Sequence, residues 1–191
     1  VKTIWYIHGA ASTPLTFNWL KLQLNPHIIV DIEYENETPL EETINRLRIK
    51  ASKHDNPPVI IGHSLGGIIA ASIAQSVPVE KVISLASPFG GSFAASLMRW
   101  FTPSQLFRDI SQQSIVLSRL RHKKIPVPML SFVTDSNLTI MGEKTDGVVT
   151  VSSQKALDGP TYITVPYNHF EVLMAPDVAK RIDNFIFKDI I

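Results

Sequence analysis

The chain contains no cysteine. Disulfide scaffolds, thiolate metal sites and cysteine nucleophiles are thereby excluded. The redox compartment stays open, because a cysteine-free chain suits either environment. Excess charge is also missing: 18 Lys+Arg against 17 Asp+Glu leave a formal net charge of +1, which argues against an electrostatic nucleic-acid binder. No long hydrophobic run is present. The most apolar stretch, Leu65 to Val77, is interrupted by Ser72, Gln75 and Ser76, and a membrane span needs roughly 18 or more apolar residues. The N-terminus lacks the pattern of a signal peptide. A cytoplasmic location is therefore expected, with a processed secreted form left open by the start at Val1. Internal repeats, low-complexity tracts and linkers are absent as well. No H-E-x-x-H pattern or carboxylate cluster suggests a metal, and His8-Gly9-Ala10-Ala11 lacks the glycine spacing of a phosphate loop. No metal and no cofactor are expected.

What is present suits one domain spanning 1–191, since domains usually run ~100–200 residues. Such a chain buries a core without staples. Short β-branched runs alternate with helical stretches, which predicts an α/β fold with a mostly parallel sheet between helices. The expected strands are Thr3–Ile7, Ile28–Tyr34, Val59–Ile61, Lys81–Ala86, Val127–Val133 and Thr161–Val165. Several are apolar nearly throughout, as strands covered on both faces must be. Helices are expected over Phe17–Leu24, from Pro39 at a first helical position towards Lys53, after Ser64 to about Val77, and from near Pro176. The longest connection, Ala86 to Val127, is expected to carry two helices near Phe93–Phe101 and Ser104–Arg121, split by Pro103. Connections of that length often act as lids. Its apolar residues, among them Phe89, Phe93, Trp100 and Phe107, suit an acyl pocket or lid as well as they suit ordinary core.

Gly62-His63-Ser64-Leu65-Gly66 matches G-x-S-x-G directly after one expected strand and before a helix. A serine exposed at the carboxyl end of a strand needs a sharp, strained turn, and side chains two residues to either side would collide in it. The helix that follows puts free N–H groups and partial positive charge beside the serine. Serine is a poor nucleophile without a base and an acid that orients the base. Two histidines follow Ser64. His122 sits in a run of cations that reads as a solvated helix end, whereas His169 lies in a loop at the same sheet end as Ser64 and is the expected base. For the acid, Asp135 and Asp146 stand level on the residues alone. His63 should point away from the serine and His8 should stabilise a turn. His27 and His54 lie in polar, exposed sequence.

These features resemble the α/β-hydrolase superfamily, and within it the small bacterial lipases and esterases. Four places carry the resemblance: Ile7-His8-Gly9-Ala10, Gly62 to Gly67, Ala86-Ser87-Pro88-Phe89-Gly90-Gly91-Ser92, and Thr145-Asp146-Gly147-Val148-Val149 followed by Asn168-His169-Phe170. The resemblance implies a three-layer α/β/α sandwich in a minimal, six-stranded form with a helical insertion near 93–121. It favours Asp146 over Asp135, giving a triad of Ser64, Asp146 and His169. It also assigns the oxyanion hole to the backbone N–H groups of Ala10 and Leu65. The segment after Val133 must then fold back for Asp146 to reach His169.

The expected activity is cleavage of a small-molecule or lipid ester through an acyl-enzyme, with transient contact at a lipid interface and no nucleic-acid partner. The same residues would serve a thioesterase, an amidase or an acyltransferase. A non-catalytic lipid-binding module is the remaining alternative.

Overall fold

The computed structural model describes residues 1–91, 114–140 and 142–191. The core is a six-stranded sheet of β1 (Thr3–Ile7), β2 (Ile28–Ile32), β3 (Val59–His63), β4 (Lys81–Leu85), β5 (Met129–Thr134) and β8 (Thr161–Val165). They lie in the order β2-β1-β3-β4-β5-β8, every neighbouring pair parallel. Parallel pairing needs crossover connections, and these place helices on both faces. One face carries α2 (Leu40–Ala51), α3 (Leu65–Ala74) and α4 (Ile115–His122); the other carries α1 (Asn18–Gln23) and α6 (Pro176–Lys188). The result is the three-layer α/β/α sandwich expected from the sequence.

Strand composition follows position in the sheet. In β3, β4 and β5 every residue is buried, whereas the edge strands β2 and β8 keep most of their residues partly or fully exposed. Successive side chains alternate between layers. Trp5, Ile7 and Ile60 pack with α2 and α3, while Ile4, Tyr6, Val59 and Ile61 pack with α1 and α6. Truncating such a side chain to alanine costs about 2–5 kcal/mol, because neighbours refill the cavity only in part.

Helix α6 is amphipathic, burying Val178, Ile182, Phe185 and Ile186. Its last carbonyls would otherwise lack donors. The buried Lys81 supplies them: Nζ donates to the carbonyls of Phe185 at 2.7 Å and Ile186 at 3.2 Å and pairs with Asp189.

Several expectations need correction. Pro39 is the N-cap of α2 rather than its first residue, because its ψ of 138° is extended. α2 stops at Ala51 and α3 at Ala74, two and three residues short of Lys53 and Val77. β2 ends at Ile32, where its pairing with Ile7 ends. The segment after β5 is no plain loop: β6 (Leu138–Ile140) and β7 (Glu143–Thr145) form an antiparallel hairpin, followed by the single-turn α5 (Val151–Gln154). The expected helix over Phe93–Phe101 and most of Ser104–Arg121 lie outside the described residues, with α4 as the described end of that insertion. Phe89 is described, and it is fully buried core.

Candidate active site

Ser64 occupies the single-residue turn between β3 and α3, at φ 53° and ψ −119°. A non-glycine residue held there stores roughly 1–3 kcal/mol of strain. Its surroundings enforce the turn. The Ser64 N–H donates to the Leu85 carbonyl at 2.8 Å, and its own carbonyl accepts from Gly67 N at 3.1 Å. A Cβ on Gly66 would stand 1.9 Å from the Ile7 carbonyl oxygen, and one on Gly62 would stand 2.3 Å from the Gly66 backbone. Both positions exclude a side chain, which is the steric reason for the G-x-S-x-G pattern.

Asp146 follows the hairpin directly, so β6 and β7 are the device that folds the chain back. Its carboxylate is fully engaged. Oδ1 accepts the N–H groups of Val148 at 2.9 Å and Val149 at 2.7 Å. Oδ2 accepts from Thr134 Oγ1 at 2.5 Å and from His169 Nδ1 at 2.8 Å, with Gln154 Nε2 at 3.5 Å. The Asp146 carbonyl also accepts the His169 N–H at 3.2 Å. Burial pushes the carboxyl up, but the hydrogen bond and charge of His169, with help from Thr134 and the Val149 N–H, outweigh it and hold Asp146 below its ordinary value. Because a carboxylate only accepts, Nδ1 of His169 is the donor, and in the neutral ring Nε2 is then the acceptor.

Asp135 stands apart from this pair. Its carboxylate accepts from Asn137 N and pairs with Lys144 at 3.3 Å. Thr134 and Gln154 contact the carboxylate instead, and neither was expected from sequence. The two also clamp one another, Thr134 N to Gln154 Oε1 at 2.8 Å and Gln154 Nε2 to Thr134 O at 3.0 Å. No local sequence signal marks either residue; Gln154 is buried, and a buried amide needs such partners.

His63 reaches beyond the serine turn. Its Nε2 donates to the His169 carbonyl at 2.8 Å, and the two rings lie 4.9 Å apart. Ser64 thus reaches the His169–Asp146 pair through its own neighbour in the chain. A direct Ser64–His169 hydrogen bond is not among those formed by the described residues. Beyond His169, Phe170 stands edge-on to its ring at 5.2 Å and is more than half exposed.

The His8-Gly9-Ala10 turn lies against Ser64. A Cβ on Gly9 would be 3.1 Å from Ser64 Cβ. Leu65 is the first residue of α3, so its N–H has no partner within the helix. His122 ends α4, its Nδ1 bonded to the Ser118 carbonyl at 2.6 Å, remote from the pair. His27 is less exposed than expected, with Nε2 at 2.7 Å from Tyr6 Oη. A cleft of about 350 Å³ lined by Arg48, Gln75, Arg119 and Lys123 sits at the far end of α3 and takes no part in this site. Among the described residues no group of three or more His, Asp or Glu is placed to hold a metal, and no helix is long and apolar enough to cross a membrane.

A parallel six-stranded sheet, a serine in a strained turn after a central strand, and a buried histidine–carboxylate pair from later loops belong to one architecture. The fold is that of the α/β hydrolases. Residues 3–91 match an uncharacterised protein family, UPF0227. No curated protein matches the sequence. The structure is similar to the lipase BlEst2 of Bacillus licheniformis in its mature form, with TM-score 0.76 and 17% identity over 97% of this chain and 90% of that one. It is similar to the metagenomic carboxyl esterase MGS0156, with TM-score 0.72 and 12% identity over 99% of this chain and 76% of that one. It is also similar to the phospholipase PlaB of Legionella pneumophila, with TM-score 0.64 and 14% identity over 82% of this chain. The chain spans only 46% of PlaB's length. At these identities the likeness is one of fold.

Proposed function

We propose that the protein is a serine hydrolase that cleaves carboxylic esters through an acyl-enzyme. The observation that carries this reading is the buried 2.8 Å contact between His169 Nδ1 and Asp146 Oδ2, in a chain whose strained serine turn is tied to the same histidine through His63. A fixed Nδ1–H leaves Nε2 free to act as a base. His169 takes the Ser64 hydroxyl proton as Oγ attacks the ester carbonyl, and Asp146 stabilises the imidazolium so formed. The tetrahedral oxyanion is met by the N–H groups of Ala10 and Leu65; losing one such donor typically costs ~100–1,000-fold in turnover. His169 then protonates the departing alcohol. Water, deprotonated by His169, releases the acid and restores Ser64.

The lipase, esterase and phospholipase among the similar structures support ester chemistry over thioester or amide cleavage. The test is a set of initial rates on p-nitrophenyl esters from acetate to palmitate, with Ser64→Ala beside the wild type. Turnover that vanishes in the variant supports the reading, and its chain-length profile separates an esterase from a lipase. A folded wild type with no turnover and no reaction with a fluorophosphonate overturns it.

A further inference from the structure

The turn that would supply the Ala10 N–H is held by residues from a different part of the chain. Tyr34, just beyond β2, donates its hydroxyl to the His8 carbonyl at 2.6 Å. Its ring lies flat on the His8 imidazole, centroids 4.3 Å apart and planes within 5° of parallel. His8 in turn closes on its neighbour, Nδ1 donating to the Gly9 carbonyl at 2.8 Å. On the far side, Asn36 Oδ1 accepts the Ala11 N–H at 2.9 Å, and Ala11 sits at φ 52°.

One covalent fact links these contacts to the oxyanion. The Gly9 carbonyl and the Ala10 N–H belong to the same peptide plane, and no peptide in the described chain is cis. In a trans peptide the two groups point in opposite directions. Whatever fixes the Gly9 oxygen therefore fixes the direction of the Ala10 N–H. Tyr34 holds His8 at two points, its hydroxyl on the His8 carbonyl and its ring on the imidazole; the imidazole holds the Gly9 oxygen, and that oxygen sets the donor. Tyr34 and His8 are both buried, so solvent does not compete for these bonds.

We propose that Tyr34 and Asn36 are positioning residues that aim the Ala10 N–H at the oxyanion before substrate arrives. The inference rests on the proposed role of Ser64 and adds to it a relay from the β2–α2 connection. A donor prepared in this way acts on the tetrahedral state more than on the bound ester, so loosening it lowers kcat and leaves KM nearly unchanged.

The test compares Tyr34→Phe, which keeps the ring stack and loses the hydroxyl, with Tyr34→Leu, which loses both. Asn36→Leu removes the acceptor and Asn36→Asp restores it. Each variant is measured for kcat and KM on p-nitrophenyl acetate, for inhibition by phenylboronic acid and for the rate of fluorophosphonate labelling. Misplacing a reacting group by about 1 Å costs up to ~100-fold, so Tyr34→Phe should lower kcat about tenfold with KM within about twofold. Boronate affinity and labelling rate should fall in parallel. Tyr34→Leu should lose more, and Asn36→Asp should recover what Asn36→Leu loses. Wild-type kcat in a folded Tyr34→Phe, or a loss confined to KM, overturns the relay. If Tyr34→Leu fails to fold, Tyr34→Phe and the Asn36 pair decide. A wild type that neither turns over ester nor takes the fluorophosphonate removes the Ser64 reading and this inference together. An active wild type with indifferent variants removes the inference alone.

Discussion

His63 Nε2 donates to the carbonyl oxygen of His169 across 2.8 Å, 106 residues apart in the chain. The residue that precedes the strained serine thus holds the loop that carries the proposed base. The carbonyl can only accept, so Nε2 carries the proton, and Nδ1 has no partner among the described residues. Burial, then the neighbouring charge of His169, push His63 down to about 3. His63 therefore stays neutral, and no second cation opposes the imidazolium that would form on His169.

That bond has a kinetic consequence. His63→Ala should lower kcat by roughly 10–100-fold through a displaced His169 loop. His63→Gln places an amide N–H at similar reach and should recover most of the loss. Steady-state rates on a p-nitrophenyl ester check this; equal rates for the two variants would show that the donated hydrogen bond is irrelevant.

The same group makes stability depend on pH. The folded value is about 3 against an ordinary 6.5, so below 6.5 the unfolded chain binds a proton that the folded chain refuses. This contribution is whole above 6.5, declines as the pH falls, and levels off near 3. Asp146, held below its ordinary value, adds a loss of the same sign at lower pH. Urea midpoints from pH 8 to pH 4 should therefore fall for the wild type and fall less steeply for His63→Gln. Parallel curves would contradict the assignment.

Asp146 and Asp135 should separate sharply. Asn at position 146 removes the charge opposite His169 Nδ1 and invites the wrong tautomer, a change that typically costs ~10⁴-fold in kcat. Asp135→Asn disturbs only Asn137 and Lys144 and should leave kcat within about threefold, since neither partner touches the His169–Asp146 pair. Turnover of the two purified variants decides, and the reverse order would move the acid to Asp135.

Lys81 offers a prediction about stability alone. Lys81→Met keeps the buried stem and removes the donor to the Phe185 and Ile186 carbonyls. Unpaired buried acceptors cost about 1–3 kcal/mol. Chemical denaturation should show that loss while ester turnover stays at the wild-type level. An unchanged midpoint would mean that water replaces the lysine.

Much of this protein was readable along the chain because the signals are local. The β-branched runs mark the buried strands, and the two glycines flanking His63-Ser64-Leu65 report a turn that only bare Cα positions allow. The position of His169 after the last strand puts it at the right end of the sheet. Residue types alone left Asp135 and Asp146 level, because both follow β5 in turn-like sequence. The hairpin Leu138–Thr145 separates them geometrically, and its short, partly exposed strands carry no strong periodic pattern. Thr134 and Gln154 around the carboxylate, His63 on the His169 carbonyl and Tyr34 on His8 are likewise contacts between distant segments. The sequence by itself determined the sheet, the serine turn and the histidine, since backbone sterics and strand burial act over a few residues. Only the tertiary structure decided which carboxylate meets that histidine and which side chains hold the pair, because those choices depend on which distant segments the parallel sheet brings to its carboxyl end.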